Sequence, residues 1–553
     1  MKERAYKLLK EWCDTLLTYR VKTNTPYTNG ALLCPACHII HGRIADLCFP
    51  LTLLFAKTND KKYLDAADEL IDWSEYNLKT MDGLWYNDIT NRWYATSEFS
   101  ALSIGEAIYH FGDIIPADIK EKWMNIFIRM CDVFITLDKR RSFAPVTNYY
   151  CGMTAVLAMA WKLTGNKKYL EKTKYWLDEV LTRFDDDSLL YGEGYPMDTP
   201  KGMHTVDMGY DLEESLPLLL RYADLTGDKK DFIKDKFISH LEFLLPDGAI
   251  DNSFGTRHNK WTYWGSRTSD GIIEGLALLL DDPICATACE RVLSLYESCT
   301  HDGLLAMPMA HEVNEPTCLH HTFCHAKALA SLICAEKITN ERAALPCEIP
   351  YGIKKYQKDS IILLSNKKWR ATFSSCDCAY LHSHVSNGGG TLNLLYHKEK
   401  GILCAATSSE YIPTEITNQQ YLRNSDDPPS MTPQFIIDGA PCCKEKNAKL
   451  SSNGLSVLAE GEKWSAEYIF DDDNLTIVLS CEKGIYNFPI VCSKSAVVDL
   501  NESKSSIKIG DIEICSTSPI ICNTDNRVFH QIGGLLYLPL SVEVTGKVTI
   551  TIK

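Results

Sequence analysis

Six stretches of the sequence carry side chains that could transfer a proton or bind a carboxylate. Histidine and tyrosine act as general acids and bases, whereas arginine binds a carboxylate through two parallel N–H groups. Tyrosine and tryptophan also offer flat apolar rings with a polar edge, which suits contact with a sugar. These types together favour chemistry at an acidic sugar. The candidate proton-transfer residues are Tyr149, His204, Tyr210 and His258, and the candidate substrate-binding residues are Arg43, Trp85, Asn148, Tyr195, Arg257, Trp261, Tyr263, Trp264 and Arg267.

β-Elimination at a uronic acid is the reaction that these side chains suit best. The proton on C5 of a uronic acid is weakly acidic, so an enzyme must neutralise the carboxylate and stabilise an enolate-like intermediate. A histidine or tyrosine then removes that proton, and another protonates the departing O4. We expect Arg43, Asn148 and Arg257 to hold the carboxylate, although one divalent cation, zinc or calcium, could take their place.

Two other functions remain open from these residues. Hydrolysis would need one protonated and one ionised carboxyl group, and the candidates are Asp88, Glu98, Asp207, Glu214 and Asp270. Asp207 and Asp270 stand at predicted helix starts, where an aspartate also caps the helix. A non-catalytic glycan-binding protein would keep aromatic rings but would not need convergent His, Arg and Tyr. The composition of residues 251–270 argues against this third function.

The elements that must position these residues repeat along the chain. The run Thr58-Asn-Asp-Lys-Lys returns in similar form at Thr164 and Thr226, and each copy ends one apolar 3.6-residue pattern and begins another. Six helical hairpins with alternating short and long connections predict a closed (α/α)6 toroid, whereas an open solenoid would have more uniform loops. The long connections then emerge on one face, where binding and catalysis concentrate. The predicted helices span residues 3–20, 40–57, 61–78, 97–112, 116–137, 148–163, 167–183, 207–226, 230–245, 269–282, 286–300 and 321–336.

The hydrophobic pattern changes to a period of two after about residue 345. Segments such as 360–364, 390–396, 475–479 and 546–552 read as strands, separated by Gly, Asn, Asp and Pro turns. This pattern predicts an antiparallel β-sandwich. The predicted fold class is therefore α+β multidomain, with an (α/α)6 toroid over residues 1–340 and a β-sandwich over residues 341–553.

Cysteines form a separate candidate site. Cys34 and Cys37 have the spacing of a metal-binding pair. Ring closure would join the first and sixth long loops, so ligands from Cys318, His320, Cys324 and His325, foremost Cys318 and Cys324, could complete a tetrahedral zinc site. The competing interpretation is that these thiols only pack where the ring closes, because the second pair lacks C-x-x-C spacing. A redox role is disfavoured, since no thioredoxin-like βαβ pattern surrounds Cys34 and Cys37.

Composition limits the partners. A formal net charge of −15 argues against nucleic acid, which needs a basic surface. The sequence contains no run of about 18 apolar residues, so it predicts no membrane-spanning helix. The sequence opens on an amphipathic helix without a signal segment, so we expect a cytoplasmic protein, or a periplasmic one if a signal peptide has been removed. The expected partner is an acidic oligosaccharide or polysaccharide, and a homo-oligomer stays open.

A toroid followed by a β-sandwich resembles the heparinase- and alginate-lyase-like polysaccharide lyases. The runs 34–43, 251–270, 321–327 and 388–397 are most similar to a gut Bacteroidetes family, the rhamnose–glucuronate lyases that act on arabinogalactan side chains. The resemblance implies cleavage of an L-rhamnose-α-1,4-D-glucuronate linkage. In toroid lyases generally, an Asn with a His or Arg holds the substrate carboxylate while Tyr or His moves protons. Asn148-Tyr149 and the segment from His204 to Tyr210 resemble those positions.

Overall fold

A computed structural model describes most of the chain. The described residues are 1–140, 146–187, 189–193, 199, 201–257, 269–358, 360–376, 379–380, 384–385, 388–407, 431–530 and 533–553. Within these ranges, none of the helices combines the length and the apolar character needed to span a membrane.

Helices occupy the first part of the described chain. Three of the predicted helices contain irregular turns: 3-10 turns lie at Gly42–Leu47 and Leu241–Phe243, and a π-helical turn lies at Asp211–Ser215. The α-helices are α1 (Lys2–Thr18), α2 (Cys48–Thr58), α3 (Lys61–Asn77), α4 (Ser97–Phe111), α5 (Ala117–Phe134), α6 (Thr147–Thr164), α7 (Lys167–Leu181), α8 (Met208–Tyr210), α9 (Leu216–Thr226), α10 (Lys230–His240), α11 (Ile273–Ala277), α12 (Pro283–Ser298) and α13 (Leu319–Cys334).

The repeated Thr-Gly-Asn-Lys-Lys turns join the two helices of a hairpin. Gly165 has φ +69° and ends α6 in the left-handed region, where glycine is favoured because it has no Cβ. Asn166 then accepts the backbone N–H of Lys168 and starts α7. Asn59 and Asp60 do the same between α2 and α3, with Asn59 at φ 55°. The short connections are therefore encoded by local capping chemistry.

The helices form two concentric layers that close into a ring. α2, α4, α6, α9, α11 and α13 pack in sequence, and α13 returns to α2. These inner helices are buried on nearly every side, as in α6, whereas outer helices such as α7 bury only one stripe. α1 packs on α13 and so completes the sixth hairpin. The predicted toroid is confirmed, although α11 is shorter than expected because Gly271, at φ +94°, precedes it.

Most strands of the described chain follow α13, and two short ones, β1 and β2, lie between α12 and α13. The predicted boundary near residue 340 falls between the end of α13 and the start of β3. The strands are β1 (Thr300–His301), β2 (Leu304–Leu305), β3 (Gly352–Tyr356), β4 (Ile361–Ser365), β5 (Trp369–Ser374), β6 (Ala379–Tyr380), β7 (His384–Val385), β8 (Thr391–His397), β9 (Gly401–Ala405), β10 (Gln434–Ile437), β11 (Ala440–Pro441), β12 (Lys449–Asn453), β13 (Ser456–Glu460), β14 (Trp464–Phe470), β15 (Leu475–Asn487), β16 (Ile490–Val491), β17 (Val498–Leu500), β18 (Ser506–Ile509), β19 (Ile512–Ser516), β20 (Ile520–Ile521), β21 (Val528–His530), β22 (Leu535–Leu538) and β23 (Ser541–Ile552).

A five-stranded antiparallel sheet, in the order β3-β4-β5-β8-β9, lies between the helices and a larger sheet. Alternate residues of β4 face opposite ways: Ile361 and Leu363 join the core of the toroid, whereas Ile362 and Leu364 join the core of the β domain. The larger sheet has eleven strands, with the path β12-β13-β14-β15-β23-β19-β18-β17. The five-stranded sheet is thus buried on both faces, and it rests directly on the toroid.

Candidate active site

The N-terminal ends of the inner helices meet at one end of the ring. The long connections lead into these inner helices, and side chains from different connections and helix starts contact each other. Ser100 of α4 donates to Asp46, 2.6 Å away in the turn before α2. Arg43 in the same turn reaches Asp270, which precedes α11. Candidate residues far apart in sequence therefore share one mouth.

Two cations and two carboxylates lie at the base of this mouth. Arg43 contacts Asp46 at 2.6 Å and Asp270 at 2.7 Å, and Lys327 of α13 contacts Asp270 at 2.6 Å. Burial raises the pKa of Asp270, but Lys327 and Arg43 outweigh it and hold that pKa below its usual value. Asp270 is therefore an ionised partner of the cations. The guanidinium of Arg43 is shared between two carboxylates, which offset its charge, so the structure argues against its predicted role in holding the substrate carboxylate.

Asn148 and Tyr149 stand in the first turn of α6. The Asn148 backbone N–H donates to Glu193 Oε2 at 3.1 Å, and its side-chain Nδ2 donates to Glu214 Oε2 at 2.9 Å. Tyr149 is half-buried, and its Oη accepts the indole N–H of Trp93 at 2.8 Å. An N–H donated to a phenolic oxygen stabilises negative charge on that oxygen. Both side chains are thus held in place by partners from other long loops.

Arg257 lies close to the same group. Its Nη2 is 3.0 Å from Glu193 Oε1, so Glu193 connects Arg257 with the start of α6. Its guanidinium carbon lies 4.3 Å from the centre of the Tyr210 ring, a cation–π contact. Its backbone N–H donates to Asp207 Oδ2 at 2.6 Å. The structure therefore brings Asn148, Arg257 and Tyr210 together through Glu193.

Asp207 organises the turn beneath Tyr210. It accepts the Tyr210 backbone N–H at 3.1 Å and the Asn252 side-chain amide at 3.1 Å. Burial raises the pKa of Asp207 to about 6, although these hydrogen bonds favour the ionised form. Asp207 caps a helix start and positions Arg257. The interpretation of Asp207 as a capping residue fits these contacts.

His204 lies in the long connection before α8. The ring of Tyr191 stacks on it with centroids 4.0 Å apart, and Asp185 Oδ2 is 3.7 Å from its Nδ1. The His204 backbone N–H donates at 2.9 Å to the carbonyl of Lys358, which follows strand β3. The imidazole is partly exposed, at 18%. The β domain thus helps to set the position of this histidine.

Two glutamates below Asn148 are buried in the inner ring. Burial, followed by the negative charge of Asp270, raises the pKa of Glu214 to about 8. Burial and the charge of Glu214 also raise the pKa of Glu98 well above its usual value. Within the part of the chain that the structure describes, neither oxygen of Glu98 has a hydrogen-bond partner. Burial therefore favours the neutral form of both carboxyls.

Other candidate positions lie apart from this group. Trp85 is 2% exposed and its Nε1 donates to Glu75 at 3.0 Å, so its expected role in sugar stacking is corrected to a packing role. Asp88 accepts the backbone N–H groups of Thr90 and Asn91, each at 2.7 Å, and serves a turn. Tyr195, His258, Trp261, Tyr263, Trp264 and Arg267 lie outside the described residues.

The cysteine prediction is corrected at one position. Cys34, Cys37 and Cys318 come together as expected, but the fourth side chain beside them is His41. Cys324 instead lies with Asp46 and Asp270. The reason is helical geometry, because Cys324 is six residues beyond Cys318 and therefore about 9 Å further along α13. Glu193 and Trp93 stand in the long loops and Lys327 in the run 321–327, but the sequence assigned none of them a role, because their partners are distant in sequence.

Comparison with known proteins gives similarity over nearly the whole chain. Residues 9–348 match the ulvan lyase N-terminal domain, and residues 353–440 match the ulvan lyase C-terminal domain. A broad-specificity ulvan lyase of Formosa agariphila is 37% identical over 596 residues, covering 97% of this chain and 91% of that protein.

Two solved structures share the fold. A crystal structure of heparinase III aligns with a TM-score of 0.54 and 12% identity, covering 92% of this chain and 76% of that one. The structure of a second heparinase III gene product aligns with a TM-score of 0.50 and 11% identity, covering 100% of this chain and 83% of that one. At such identities the likeness concerns the arrangement of toroid and β-sheets.

Proposed function

The chain belongs to the ulvan lyase family of polysaccharide lyases, and from this premise we propose that it cleaves a rhamnosyl-glucuronate linkage of an acidic polysaccharide, with ulvan as the substrate. A polysaccharide lyase breaks the bond to O4 of a uronic acid by β-elimination, and this separates the protein from the hydrolases weighed above. The relative's name supports ulvan as the polymer. The rhamnosyl-glucuronate bond comes from the sequence resemblance, which also names arabinogalactan as a competing substrate.

The observation that carries the proposal is that Asn148 and Arg257 both contact Glu193. The Asn148 backbone N–H donates to one oxygen of Glu193, and the guanidinium of Arg257 lies 3.0 Å from the other. Tyr149 follows Asn148 in α6, and Tyr210 lies under the guanidinium of Arg257. In the proposed complex Asn148 and Arg257 bind the uronate carboxylate, which makes the C5 proton more acidic. A planar guanidinium suits this task, because it meets a carboxylate with two parallel N–H groups.

Proton transfer is proposed for Tyr149, Tyr210 and His204. Trp93 holds Tyr149 through its indole N–H, which would stabilise the phenolate after the tyrosine loses its proton. Tyr210 lies under the guanidinium of Arg257, and so next to the proposed carboxylate position. A phenolate that takes the C5 proton and a neutral phenol that gives a proton to the departing O4 complete the elimination without a net change in protons. His258 directly follows Arg257 and stays a proposed fourth member.

The neutral glutamates support an anionic substrate. Burial raises the pKa of both Glu214 and Glu98, and so favours the uncharged form of each carboxyl. An additional carboxylate can then approach Asn148 without facing two buried negative charges. This arrangement favours a uronate over a neutral sugar.

The direct experiment supplies three substrates to the purified protein: ulvan, a rhamnosyl-glucuronate oligosaccharide and arabinogalactan. Elimination produces a 4,5-unsaturated uronate, whose ultraviolet absorbance rises with time. We expect that rise with ulvan and with the oligosaccharide. New reducing ends without ultraviolet absorbance would indicate hydrolysis and overturn the mechanism. A rise with arabinogalactan alone would overturn the choice of ulvan.

Site variants test the residue roles. Tyr149→Phe and His204→Ala should lower kcat by about 100-fold or more, since a positioned general acid or base contributes about that much. Tyr149→Phe removes only a hydroxyl, and His204→Ala removes a partly exposed ring that stacks on Tyr191, so thermal unfolding should stay within a few degrees of the wild type. If both variants keep wild-type turnover, the chemistry takes place elsewhere.

A further inference from the structure

The four side chains Cys34, Cys37, His41 and Cys318 form a compact group at the point where the toroid closes. Cys318 Sγ is 3.8 Å from Cys34 Sγ, 3.5 Å from Cys37 Sγ and 3.4 Å from His41 Nε2. All four ligand atoms lie within 4.8 Å of one another. Cys34, Cys318 and His41 are buried, and Cys37 is partly exposed. None of these residues takes part in the proposed reaction.

The separations are those of a tetrahedral metal site. Zinc bonds sulfur at about 2.3 Å and imidazole nitrogen at about 2.0 Å, so tetrahedral angles place two sulfurs about 3.8 Å apart and a sulfur and a nitrogen about 3.5 Å apart. The observed values of 3.5, 3.8 and 3.4 Å agree with both figures. A disulfide would instead need two sulfurs at about 2.05 Å. Three cysteines and one histidine are also a known ligand set of structural zinc.

The backbone around Cys34 is shaped to present both sulfurs of the pair. The Cys37 N–H points to Cys34 Sγ at 3.4 Å, the His38 N–H donates to the Cys34 carbonyl at 3.0 Å, and the Cys34 N–H donates to the Ile39 carbonyl at 2.9 Å. His38 has φ +58°, a left-handed conformation that is uncommon for residues other than glycine. An N–H directed at sulfur suits a thiolate better than a thiol, because it stabilises negative charge.

We propose that Cys34, Cys37, His41 and Cys318 bind one zinc ion with a structural role. All four positions of the tetrahedron are filled by the protein, which leaves none for water or substrate. The ion would join the loop before α2 to Cys318 at the start of α13, and so clamp the first hairpin of the ring to the last. Arg43 follows His41 by two residues, so the same ion would help to hold Arg43 against Asp270.

The second group of possible ligands in the described chain does not compete for the ion. Asp46, Asp270 and Cys324 also lie within 4.8 Å of one another. Their carboxylates, however, already contact the guanidinium of Arg43 and the ammonium of Lys327. A divalent cation there would meet two positive charges at close range.

Metal analysis of the full-length protein tests the proposal directly. The protein is produced in zinc-supplemented medium and purified under reducing conditions without chelator. Inductively coupled plasma mass spectrometry should then find about one zinc per chain. Cys318→Ser should lower that content at least several-fold. Cys324→Ser is the matched control, because it removes a buried thiol from the same helix, and it should keep the zinc. A wild-type protein with less than a tenth of an ion per chain overturns the proposal.

Cobalt substitution gives a second readout that does not depend on the variants folding. Wild-type protein grown with cobalt(II) should show visible ligand-field bands of tetrahedral cobalt together with thiolate-to-metal charge transfer in the near ultraviolet. Octahedral cobalt spectra, or a disulfide between any two of Cys34, Cys37 and Cys318 in peptide mapping, would contradict a Cys3His zinc site. Because the readouts are metal content and spectra, they are independent of whether ulvan is cleaved.

Discussion

Replacing Glu214 by glutamine tests whether the mouth of the toroid holds a neutral carboxyl group. Glutamine keeps the shape of the side chain and an oxygen that can accept the amide N–H of Asn148, but it cannot ionise. The pKa of Glu214 lies near 8 in the folded protein, against an ordinary value of 4.5. The folded state therefore retains a proton that the unfolded chain loses. Its contribution is fully present below pH 4.5 and is lost as the pH rises through about 8.

The size of the effect follows from that difference in pKa. From pH 6 to about pH 8 the folded wild type keeps a proton on Glu214 that the unfolded chain has already lost. Over these roughly two pH units the free energy of unfolding of the wild type therefore falls. At about 1.4 kcal/mol per unit, the wild type loses about 3 kcal/mol of stability that Glu214→Gln keeps. With an unfolding entropy of about 2.1 cal/mol/K per residue, this corresponds to about 2 °C if the whole chain unfolds together and about 4 °C if the toroid unfolds alone.

The assay is thermal unfolding of both proteins at pH 6 and pH 9 with the same ionic strength. The advantage of Glu214→Gln over the wild type should be larger at pH 9 by those few degrees. Glu106→Gln is the matched control in the same ring. Burial would raise the pKa of Glu106, but Arg221 at 2.8 Å and His110 at 3.2 Å outweigh it and lower that pKa. Glu106→Gln should therefore lower the melting temperature at both pH values.

An unchanged difference between pH 6 and pH 9 would refute the reasoning, because it would mean that Glu214 is already ionised at pH 6. Activity offers an independent reading of the same group. Above about pH 8, an ionised Glu214 would face the substrate carboxylate beside Asn148. We expect KM to rise on this alkaline side in the wild type and to rise less in Glu214→Gln.

Three further substitutions test packing and domain contacts. Gly152→Ala places a methyl group against the carboxyl of Glu98, and calorimetry should show a loss of about 1–3 kcal/mol that Glu98→Asp partly restores. Trp85→Phe removes one buried hydrogen bond and should lower the free energy of unfolding by about 1 kcal/mol without changing KM for the polysaccharide. A large rise in KM would show that Trp85 does contact the substrate. Thr372→Val removes the hydroxyl that the β domain donates to Asp251, and a drop of about 1–3 kcal/mol in unfolding free energy is expected.

The regular part of the toroid could be predicted from the sequence because its determinants are local. Gly165 and Asn166 stop one helix and start the next within two residues, and the same signal recurs at Asn59 and Asp60. The inner helices, unlike the outer ones, have no single apolar stripe, since they are buried on nearly every side. The π-helical turn at Asp211–Ser215 and the brevity of α11 were therefore invisible to periodicity.

The site could be predicted in residue type but less well in role. Asn148 and Tyr149 stand at a recognisable helix start, and they lie where the mouth forms. From the sequence, Arg43 resembles a residue that binds the substrate carboxylate. In the structure its guanidinium instead contacts Asp270, which lies 227 residues away. His41 was overlooked as a metal ligand, although the spacing C-x-x-C-x-x-x-H was present in the sequence. Pairings across the ring depend on three-dimensional closure, which no local pattern encodes.

Closure of the ring by α1 and α13 has a consequence for biosynthesis. α1 ends at Thr18 and its partner α13 ends at Cys334, so the first helix must wait for more than half of the chain to leave the ribosome. At about 5–20 residues per second the delay is roughly 15–60 s. During that time the apolar side of α1 lacks its main native partner, α13. Chaperone occupancy on the nascent chain should consequently be highest before α13 emerges, and a ribosome stalled inside α13 should leave the amino-terminal segment open to proteases.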